Sequence, residues 1–567
     1  MKEVKHFSIL FWALVLLASC GQNNKINAFK YETVKEIKVK SGAVVSAHPL
    51  ASEVGVSILK QGGNAVDAAI ATQFALAVVY PAAGNIGGGG FTVIHLKDGK
   101  NITIDYREKA PGKAFKDMYL DSAGNPLLNL SQDGHLASGV PGAVAGIFES
   151  FKYASLPIKK LIQPSIDLAE NGFAITAREA RSLNYTKKEF IKYNTVTPVF
   201  VKSTEWKGGD TLIQTDLANT LKRIRDNGEK GFYEGETAAL IVKEMENGKG
   251  IISLEDLKNY KAANREPIVF DYRGHQVVTM PLPSSGGIIL EQMLKMGVMK
   301  NIDSMQYGTP QSVQLMAEIE RRAFADRAKF LGDPDFYKVP VKTLVSNEYL
   351  TQRMSDYVPG KAGNSVDIKE GTIKESEETT HFSVMDADGN AVSVTTTLNG
   401  GYGSRTVVAG AGFLMNNEMD DFSVKPGVPN MFGAVGQEAN AIAPNKRMLS
   451  SMTPTIVLKD GKPWIVLGTP GGTTIPTSVY QTIVDIIDFK LAPQDAVNFP
   501  KFHHQWLPDV LYVEKSFDKK TVDSLKQMGY KIEERGAIGR TEVIMILADG
   551  TLHAIADHRG DDASAGY

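Results

Sequence analysis

The sequence has a single cysteine, Cys20, among its 567 residues, so no disulfide can form within the chain. Neither sign of charge is in excess, because 62 Lys and Arg residues offset 64 Asp and Glu residues to give a net charge of −2. Proteins that bind nucleic acid usually carry a basic domain or patch, and disordered chains have low hydrophobicity or high net charge. With 43% hydrophobic residues, the composition predicts a large globular protein and gives no reason to expect nucleic acid as a partner.

Several common catalytic and cofactor motifs are also missing. The sequence contains no G-x-x-x-x-G-K-[ST] phosphate loop, no H-E-x-x-H zinc helix, no G-x-S-x-G turn and no cysteine pair. The strongest metal candidate is the pair His503-His504. Adjacent residues on a strand point to opposite faces, so this pair favours a structural role. The sequence therefore predicts neither a metal nor an organic cofactor.

The N-terminus carries a hydrophobic run that is too short to span a membrane. Phe7–Leu17 follows a short basic head and is about eleven residues long, whereas a membrane span takes about 20. The run ends in Leu17-Ala18-Ser19-Cys20, which resembles a bacterial lipobox. We expect residues 1–19 to be a lipoprotein signal peptide and Cys20 to be lipidated. Residues 20–40 would then form a tether that holds the protein on the cell envelope, facing the periplasm or the exterior. An ordinary signal peptide, cut near the same small residues, is the alternative.

The rest of the chain is typical of one large unit of mixed helices and strands. Ala65–Val79 is apolar on nearly all sides, which predicts a buried helix. The middle of the chain is mainly helical, including Leu212–Asp226 and Val313–Phe330, and the last third is richer in strands, beginning with Thr380–Met385. No helix start follows Gly87–Gly90, so these glycines indicate a tight turn rather than a dinucleotide site.

Thr379 follows the charged stretch Lys369–Glu378, which is expected to be an exposed linker. A threonine hydroxyl is a weak nucleophile unless a base lies beside it. A free N-terminal amine on the same residue has an unperturbed pKa near ~8 and can be that base. If the chain were cut before Thr379, the hydroxyl and its base would belong to one residue.

A set of further motifs surrounds this threonine, and together they span almost the whole chain. These motifs are Gly84-Asn85-Ile86-Gly87-Gly88-Gly89-Gly90-Phe91, Asp105-Tyr106-Arg107-Glu108-Lys109-Ala110-Pro111, Thr379-Thr380-His381, Thr397-Leu398-Asn399, Asn416-Asn417-Glu418-Met419-Asp420-Asp421-Phe422, Lys446-Arg447-Met448-Leu449-Ser450-Ser451-Met452-Thr453-Pro454-Thr455 and Gly468-Thr469-Pro470-Gly471-Gly472. In these motifs and in their order the sequence resembles the γ-glutamyltranspeptidase family, also called γ-glutamyltransferase or glutathione hydrolase.

The resemblance implies the N-terminal-nucleophile hydrolase fold, an α+β architecture in which two stacked sheets lie between helical layers as a four-layer αββα sandwich. It also implies a precursor that cuts itself between Glu378 and Thr379. Residues 41–378 would form a large subunit and residues 379–567 a small subunit, and the two would stay associated as one unit. The Thr379 hydroxyl would attack the carbonyl of Glu378, and water would release the resulting ester.

The resemblance also assigns the catalytic roles. Thr379 would attack the γ-carbonyl of glutathione or another γ-glutamyl donor, and the acyl group would pass to water, an amino acid or a peptide. Thr397 would orient the Thr379 amine. Gly471 and Gly472 would offer backbone N–H groups to the oxyanion, because glycine has no Cβ to block close approach.

The substrate-binding roles follow from the same resemblance. Arg107 would clamp the α-carboxylate with its planar fork, aided by the hydroxyls of Ser450 and Ser451. The residues expected to hold the α-ammonium are Asn399, Glu418 and Asp421. Glu418 and Asp421 are three residues apart, so on a helical turn they would share a face.

Two departures from the family pattern bear on the site. Glu418 stands where many bacterial relatives have Gln, and its carboxylate would still favour an ammonium. The segment Pro426–Gln437 resembles a lid loop, and Phe432 stands where relatives usually have Tyr. Phenylalanine has no hydroxyl to latch the lid, so closure and water access are expected to differ.

Two other functions fit part of the pattern. A cephalosporin (glutaryl) acylase of the same fold would act on an acyl group that lacks the α-ammonium, and it would not need Asp421. A non-catalytic surface lipoprotein that binds peptides would stay uncut and would not depend on Thr379.

Overall fold

The computed structural model describes residues 26–367 and 379–567, so the predicted signal peptide, Cys20 and the whole predicted linker Lys369–Glu378 lie outside the described residues. The strands are β1 (Glu36–Val39), β2 (Ala43–Ser46), β3 (Gly89–His95), β4 (Asn101–Asp105), β5 (Phe173–Ala174), β6 (Thr211–Leu212), β7 (Ala263–Arg265), β8 (Ile268–Tyr272), β9 (His275–Thr279), β10 (Thr380–Met385), β11 (Ala391–Thr397), β12 (Thr455–Lys459), β13 (Lys462–Gly468), β14 (Phe502–His503), β15 (Leu511–Glu514), β16 (Ile532–Arg535), β17 (Glu542–Ile546), β18 (Leu552–Ile555) and β19 (Ala563–Gly566).

Helices cover both outer sides of the molecule. They are α1 (Pro49–Lys60), α2 (Ala65–Val79), α3 (Leu128–Gln132), α4 (Ala143–Ser150), α5 (Ile158–Asn171), α6 (Ala177–Tyr193), α7 (Thr215–Asn227), α8 (Lys230–Tyr233), α9 (Gly235–Gly248), α10 (Leu254–Asn259), α11 (Gly286–Met299), α12 (Pro310–Phe330), α13 (Val341–Leu344), α14 (Asn347–Arg353), α15 (Thr474–Ile487), α16 (Pro493–Asn498) and α17 (Lys519–Gln527). Short 3-10 turns occur at His135–Ala137, Phe151–Tyr153, Ile302–Ser304, Glu418–Asp421 and Glu438–Asn440.

Two seven-stranded sheets form the centre of the fold. One sheet has the strand order β1-β18-β17-β13-β12-β9-β8, and the other has the order β19-β2-β10-β11-β3-β4-β7. Both sheets therefore combine strands from before residue 368 with strands from after residue 378. Every neighbouring pair in these two sheets is antiparallel.

Side chains that alternate along the strands build three separate cores. Val45 on β2 and Val466 on β13 lie between the two sheets, where they share one cluster of buried residues. Val44 faces the opposite way and packs with residues of α1 and α2, whereas Ile465 packs with residues of α11, α12 and α15. Because successive residues of a strand face opposite sides, each sheet can bury both faces. The result is the expected αββα sandwich.

The buried helix predicted at Ala65–Val79 is α2, and its limits match the prediction. All of its residues are buried, and its first turn is closed by a capping box in which Asn64 and Asp67 bond each other's backbone amides. The helix lies against the outer face of the sheet that contains β10 and β11. The uniform apolar sequence thus follows from burial on every side.

Three sequence expectations need correction. Residues 36–39, assigned to the tether, form β1 and pair with β18, so the fold begins before residue 40. The helix expected at Leu212–Asp226 starts at Thr215, because Leu212 pairs with Phe173 in a short strand. Gly87–Gly90 do not make a tight turn. A Cβ on Gly88 would lie 2.0 Å from the carbonyl oxygen of Thr397, so these glycines allow close approach of two backbones.

No helix within residues 26–367 and 379–567 has both the length and the apolar content that a membrane crossing requires.

Candidate active site

Thr379 is the first residue described after the linker, and it directly precedes β10. Its relative exposure is 4%, and it lines two cavities. We name them by their arginines, the Arg107 cavity and the Arg540 cavity. A group on Thr379 can thus meet one ligand from each cavity.

The Arg107 cavity collects almost all of the residues that the sequence assigns to the site. The predicted residues that line it are Arg107, Thr379, Thr397, Asn399, Glu418, Asp421, Ser450, Ser451 and Gly472. Gly471 lines the Arg540 cavity instead, next to Thr379. The two sheets thus bring together segments that are more than 300 residues apart in sequence. The chemical roles of these residues remain predictions.

Thr397 lies opposite Thr379 across the β10–β11 pair, since Thr380 pairs with Thr396 and the register continues by one residue. The Thr397 hydroxyl accepts the backbone N–H of Asn399 at 2.7 Å, and its carbonyl accepts the side-chain amide of Asn85 at 2.8 Å. Asn399 has a φ of 76° and donates its own side-chain amide to the carbonyl of Asn417 at 3.0 Å. These bonds hold Thr397 and Asn399 in fixed orientations at the cavity wall.

Gly471 and Gly472 form the turn between β13 and α15. Their φ angles are 136° and 54°, a region that L-residues rarely adopt. Their carbonyls accept the N–H groups of Thr474 and Ile475, so the turn leads directly into the N-terminus of the helix. Among the described residues, no acceptor is bonded to the amide of either glycine. Free amides at a helix N-terminus form an anion-binding position.

Arg107 is 1% exposed and is paired with two carboxylates, those of Glu418 and Asp421. A third carboxylate, Glu108, lies 3.6 Å from its guanidinium. Burial lowers the pKa of Arg107, but the neighbouring carboxylates outweigh this and raise it above its usual range. Burial raises the pKa of Glu418 well above its usual range and that of Asp421 as well, although Arg107 opposes both shifts. Arg107, which is predicted to bind the substrate carboxylate, is therefore paired with Glu418 and Asp421, which are predicted to bind the substrate ammonium.

Ser450 and Ser451 follow at the far wall of the same cavity. The Ser450 hydroxyl accepts the backbone N–H of Met452 at 3.1 Å, and the Ser451 hydroxyl accepts an N–H of Arg327 at 3.0 Å. A hydroxyl has one proton to donate. Since both oxygens already accept a bond, both serines can donate that proton to an anion in the cavity.

The segment 426–437 covers part of this cavity, as expected for a lid loop. Asn430 donates to the Asp421 carboxylate at 2.8 Å, and the Phe432 ring packs against Gly472, where an added Cβ would meet it at 2.7 Å. The carbonyl of Phe432 accepts the side-chain amide of Gln505 at 3.3 Å. The loop is thus held by Asn430 and by the backbone and ring of Phe432, without the hydroxyl that this sequence lacks.

Sequence reasoning missed Arg327, a buried arginine in the last turn of α12 that lines the Arg107 cavity. Charged residues on helices usually face solvent. The stretch of sequence that contains Arg327 mixes apolar residues with several charged ones. This pattern alone does not distinguish a site residue from a structural ion pair.

The Arg540 cavity is the larger of the two. Tyr80, Tyr402 and Phe173 give it an aromatic wall. The charged groups at its lining are Arg178, Glu179, Arg540 and Asp561. Because charges of both signs meet aromatic surface, this cavity suits amino acid or peptide ligands.

The pair His503-His504 has structural partners. His503 contacts the Thr477 hydroxyl at 2.9 Å, and His504 lies 3.3 Å from Asp509. Burial lowers the pKa of His503 to about 3 and that of His504 to about 4. Within the described residues, no group of three or more His, Cys, Asp or Glu side chains is arranged to hold a metal ion.

Comparisons with known proteins give a consistent result. A sequence model of the family described as gamma-glutamyltranspeptidase matches residues 51–567. The chain is 48% identical over 539 residues to the glutathione hydrolase proenzyme of Escherichia coli (strain K12), covering 94% of this chain and 93% of that protein.

Two solved structures share the fold. A cephalosporin acylase from Bacillus halodurans superposes with a TM-score of 0.82 at 28% identity, covering 95% of this chain and 98% of the acylase. The gamma-glutamyltranspeptidase of Helicobacter pylori has a TM-score of 0.56 at 46% identity and covers 58% of this chain and 96% of its own. From the family match and the extent of these identities, we conclude that the chain belongs to the γ-glutamyltranspeptidase family.

Proposed function

We propose that the protein is a γ-glutamyl hydrolase and transferase that acts on glutathione and other γ-glutamyl compounds through a γ-glutamyl ester on Thr379. The observation that carries this proposal is the content of the Arg107 cavity. This cavity is lined by two arginines, two serine hydroxyls, two carboxylates and the buried Thr379. A γ-glutamyl group is a zwitterion with a carbonyl at its far end, and this set of groups is complementary to it.

The nucleophile would be generated by cleavage of the precursor. The Thr379 hydroxyl attacks the carbonyl of Glu378, the acyl group moves from nitrogen to oxygen, and water hydrolyses the ester. This leaves a carboxylate on Glu378 and a free amine on Thr379. The two products would be the large and small subunits of a heterodimer.

In the acylation step, the free amine of Thr379 takes the hydroxyl proton as the oxygen attacks the γ-carbonyl. Thr397, opposite Thr379, would orient that amine. The developing oxyanion would lie against the amides of Gly471 and Gly472, where the N-terminus of α15 adds favourable potential. The amine then returns the proton to the leaving nitrogen, and the γ-glutamyl ester remains.

In the deacylation step, water or an acceptor amine would attack this ester. The Arg540 cavity is also lined by Thr379 and Gly471. We assign to it the departing amine and the incoming acceptor, which are amino acids or peptides with charges of both signs. Its arginines and carboxylates can match such charges.

A glutaryl acylase is the second candidate, and the similarity to the B. halodurans acylase favours it. A glutaryl group has a terminal carboxylate but no ammonium. Glu418 is buried and the side chain of Asp421 is 13% exposed. A ligand without an ammonium would leave both carboxylates without a new cation when it took Arg107. This argument favours the γ-glutamyl substrate.

We also propose that the protein is anchored to the cell envelope by a lipid on Cys20 and faces the periplasm or the exterior. The sequence before Cys20 supports this assignment. Intact-mass analysis of the protein purified from membranes should show the lipid, and Cys20→Ser should release an unlipidated protein. The same mass for both forms, apart from the substitution, would contradict the anchor.

One experiment tests the enzyme itself. Residues 21–567 and the variant Thr379→Ala are expressed and compared by denaturing gels, mass spectrometry and release of aniline from a γ-glutamyl anilide. We expect the first protein to appear as two fragments that meet at Glu378 and Thr379 and to release the aniline. The variant should stay intact and inactive. An intact, inactive wild type would overturn the proposal.

A further inference from the structure

Arg327 joins two segments of the Arg107 cavity through its guanidinium. Its Nε donates to the hydroxyl of Ser285 at 3.0 Å, and its Nη2 donates to the hydroxyl of Ser451 at 3.0 Å. Ser285 in turn donates to the carbonyl of Ser450 at 2.6 Å. The loop that carries both predicted carboxylate-binding serines is therefore held by one arginine on α12.

Among the described residues, Arg327 differs from Arg107 in that it has no carboxylate as a direct ion-pair partner. Arg107 is paired with Glu418 and Asp421, but within the described residues no carboxylate lies within 4.0 Å of the guanidinium of Arg327. Burial lowers the pKa of Arg327 to about 10, so it is still charged at neutral pH. The charge of Asp421 offsets part of the cost of burying this cation, but without direct contact. The cavity thus holds a positive charge that an anionic ligand can neutralise.

The direction of the bond to Ser451 matters as well. A guanidinium only donates, so the Ser451 oxygen must accept from it. The serine proton is then directed elsewhere, and the cavity is the space that both residues line. Arg327 therefore fixes Ser451 as a donor toward an anion.

We propose that Arg327 makes the cavity selective for donors whose acyl chain ends in a carboxylate, because it fixes the Ser451 hydroxyl as a donor and adds a positive charge that no carboxylate of the site contacts directly. It acts as a positioning residue for the carboxylate. This inference rests on the proposed function and adds a residue that determines which donors are bound.

The test compares three competitive inhibitors of γ-glutamyl anilide hydrolysis in the wild type and in Arg327→Gln. Glutamate has a carboxylate and an ammonium at the recognised end, glutarate has only the carboxylate, and 4-aminobutyrate has only the ammonium.

We expect Arg327→Gln to raise the inhibition constants of glutamate and glutarate by roughly ten- to hundredfold, the effect of losing a charged hydrogen bond. That of 4-aminobutyrate should change by less than about threefold, since it makes no use of this bond. The KM of the anilide should rise while kcat stays within about threefold, because Arg327 is far from the reacting carbonyl in this scheme.

Two further variants keep the test decisive. Arg327→Lys keeps the charge but loses the forked geometry, so it should fold and show an intermediate loss for the two carboxylate ligands. Lys329→Gln removes a charge from the exposed side of the same turn and should change none of the constants. Equal losses for all three inhibitors, or no loss for glutamate and glutarate, would overturn the inference. A wild type that releases no aniline would instead overturn the proposed function.

Discussion

At the scale of single residues, the charge of Arg107 is balanced by carboxylates of the site itself. Its partners are Glu418 and Asp421, the same carboxylates that would hold the substrate ammonium. A zwitterion can enter by exchange, because its carboxylate replaces the acids at Arg107 while its ammonium takes up the acids that are released. No buried charge is then left unpaired, which is the condition that a buried ion pair must meet.

This exchange predicts the behaviour of Asp421→Asn. The variant should raise the KM of a γ-glutamyl anilide by roughly tenfold or more, because a charged partner of the ammonium is lost. The KM of a glutaryl anilide should rise less or should fall, since that ligand brings no ammonium. Glu438→Gln removes an exposed carboxylate from the neighbouring loop and serves as the control. Equal losses for both anilides would remove Asp421 from the ammonium site.

At the scale of elements, the turn between β13 and α15 links the sheet to the predicted oxyanion position. Gly471 has a φ of 136°, and a Cβ there would meet the Thr474 hydroxyl at 2.4 Å. Strain in the backbone and a clash with the helix start would both move the amide. The glycine is therefore required by the conformation as well as by the approach of a substrate.

Gly471→Ala should lower kcat by roughly 10²-fold, the usual effect of losing an oxyanion donor, with a smaller change in KM. Gly461→Ala is the matched control, because that glycine also has a positive φ, of 74°, but an added Cβ would meet nothing within 4 Å. It should cost stability in thermal unfolding and leave kcat unchanged. If Gly471→Ala keeps full kcat, the amides of this turn do not bind the oxyanion.

Elements with strong local signals could be predicted from the sequence, and the less predictable parts depend on distant partners. The uniform apolar run predicted α2 with its correct limits. The close approach of Gly88 to Thr397 could not be derived, since it joins β3 and β11 across about 300 residues. Arg327 was missed for the same reason, because its serine partners lie on two other segments. The placement of the predicted site residues around one cavity came from the family resemblance and not from periodicity.

At the scale of the whole molecule, burial shifts many titratable groups in two opposite directions. Burial raises the pKa of Glu108 to about 8 and that of Asp420 to about 7. Burial lowers the pKa of His48 and of His381 to about 3. Folding therefore takes up protons on carboxyl groups and excludes them from imidazoles, and each effect makes stability depend on pH.

The free energy of unfolding should reach its maximum near pH ~6. Above the ordinary carboxyl pKa of 4.5, the unfolded chain loses protons that folded Glu108 keeps up to about pH 8, so stability falls as the pH rises through that interval. Below the ordinary histidine pKa of 6.5, the unfolded chain gains protons that folded His381 excludes until about pH 3, so stability falls as the pH drops. Thermal unfolding between pH 4 and 8 measures this curve.

Glu108→Gln supplies the control for the alkaline side. The amide does not ionise, so the decline between about pH 5 and 8 should become less steep in the variant while the acid side stays the same. A wild-type stability that rises steadily toward pH 8 would show that these buried carboxyl groups titrate normally.

Each sheet combines strands from before and after the predicted cleavage site, and this determines when the protein can fold. Strand β2 lies between β19 and β10, and β12 lies beside β9, so neither product of a cut at residue 378 contains a complete sheet. Each fragment alone would expose unpaired strand edges, which favour aggregation. A chain that is cut as proposed must fold first, while its halves are still tethered at high effective concentration. If the cut protein later unfolded, its halves would have to meet by diffusion, so its lifetime would be set by the rate of unfolding rather than by an equilibrium.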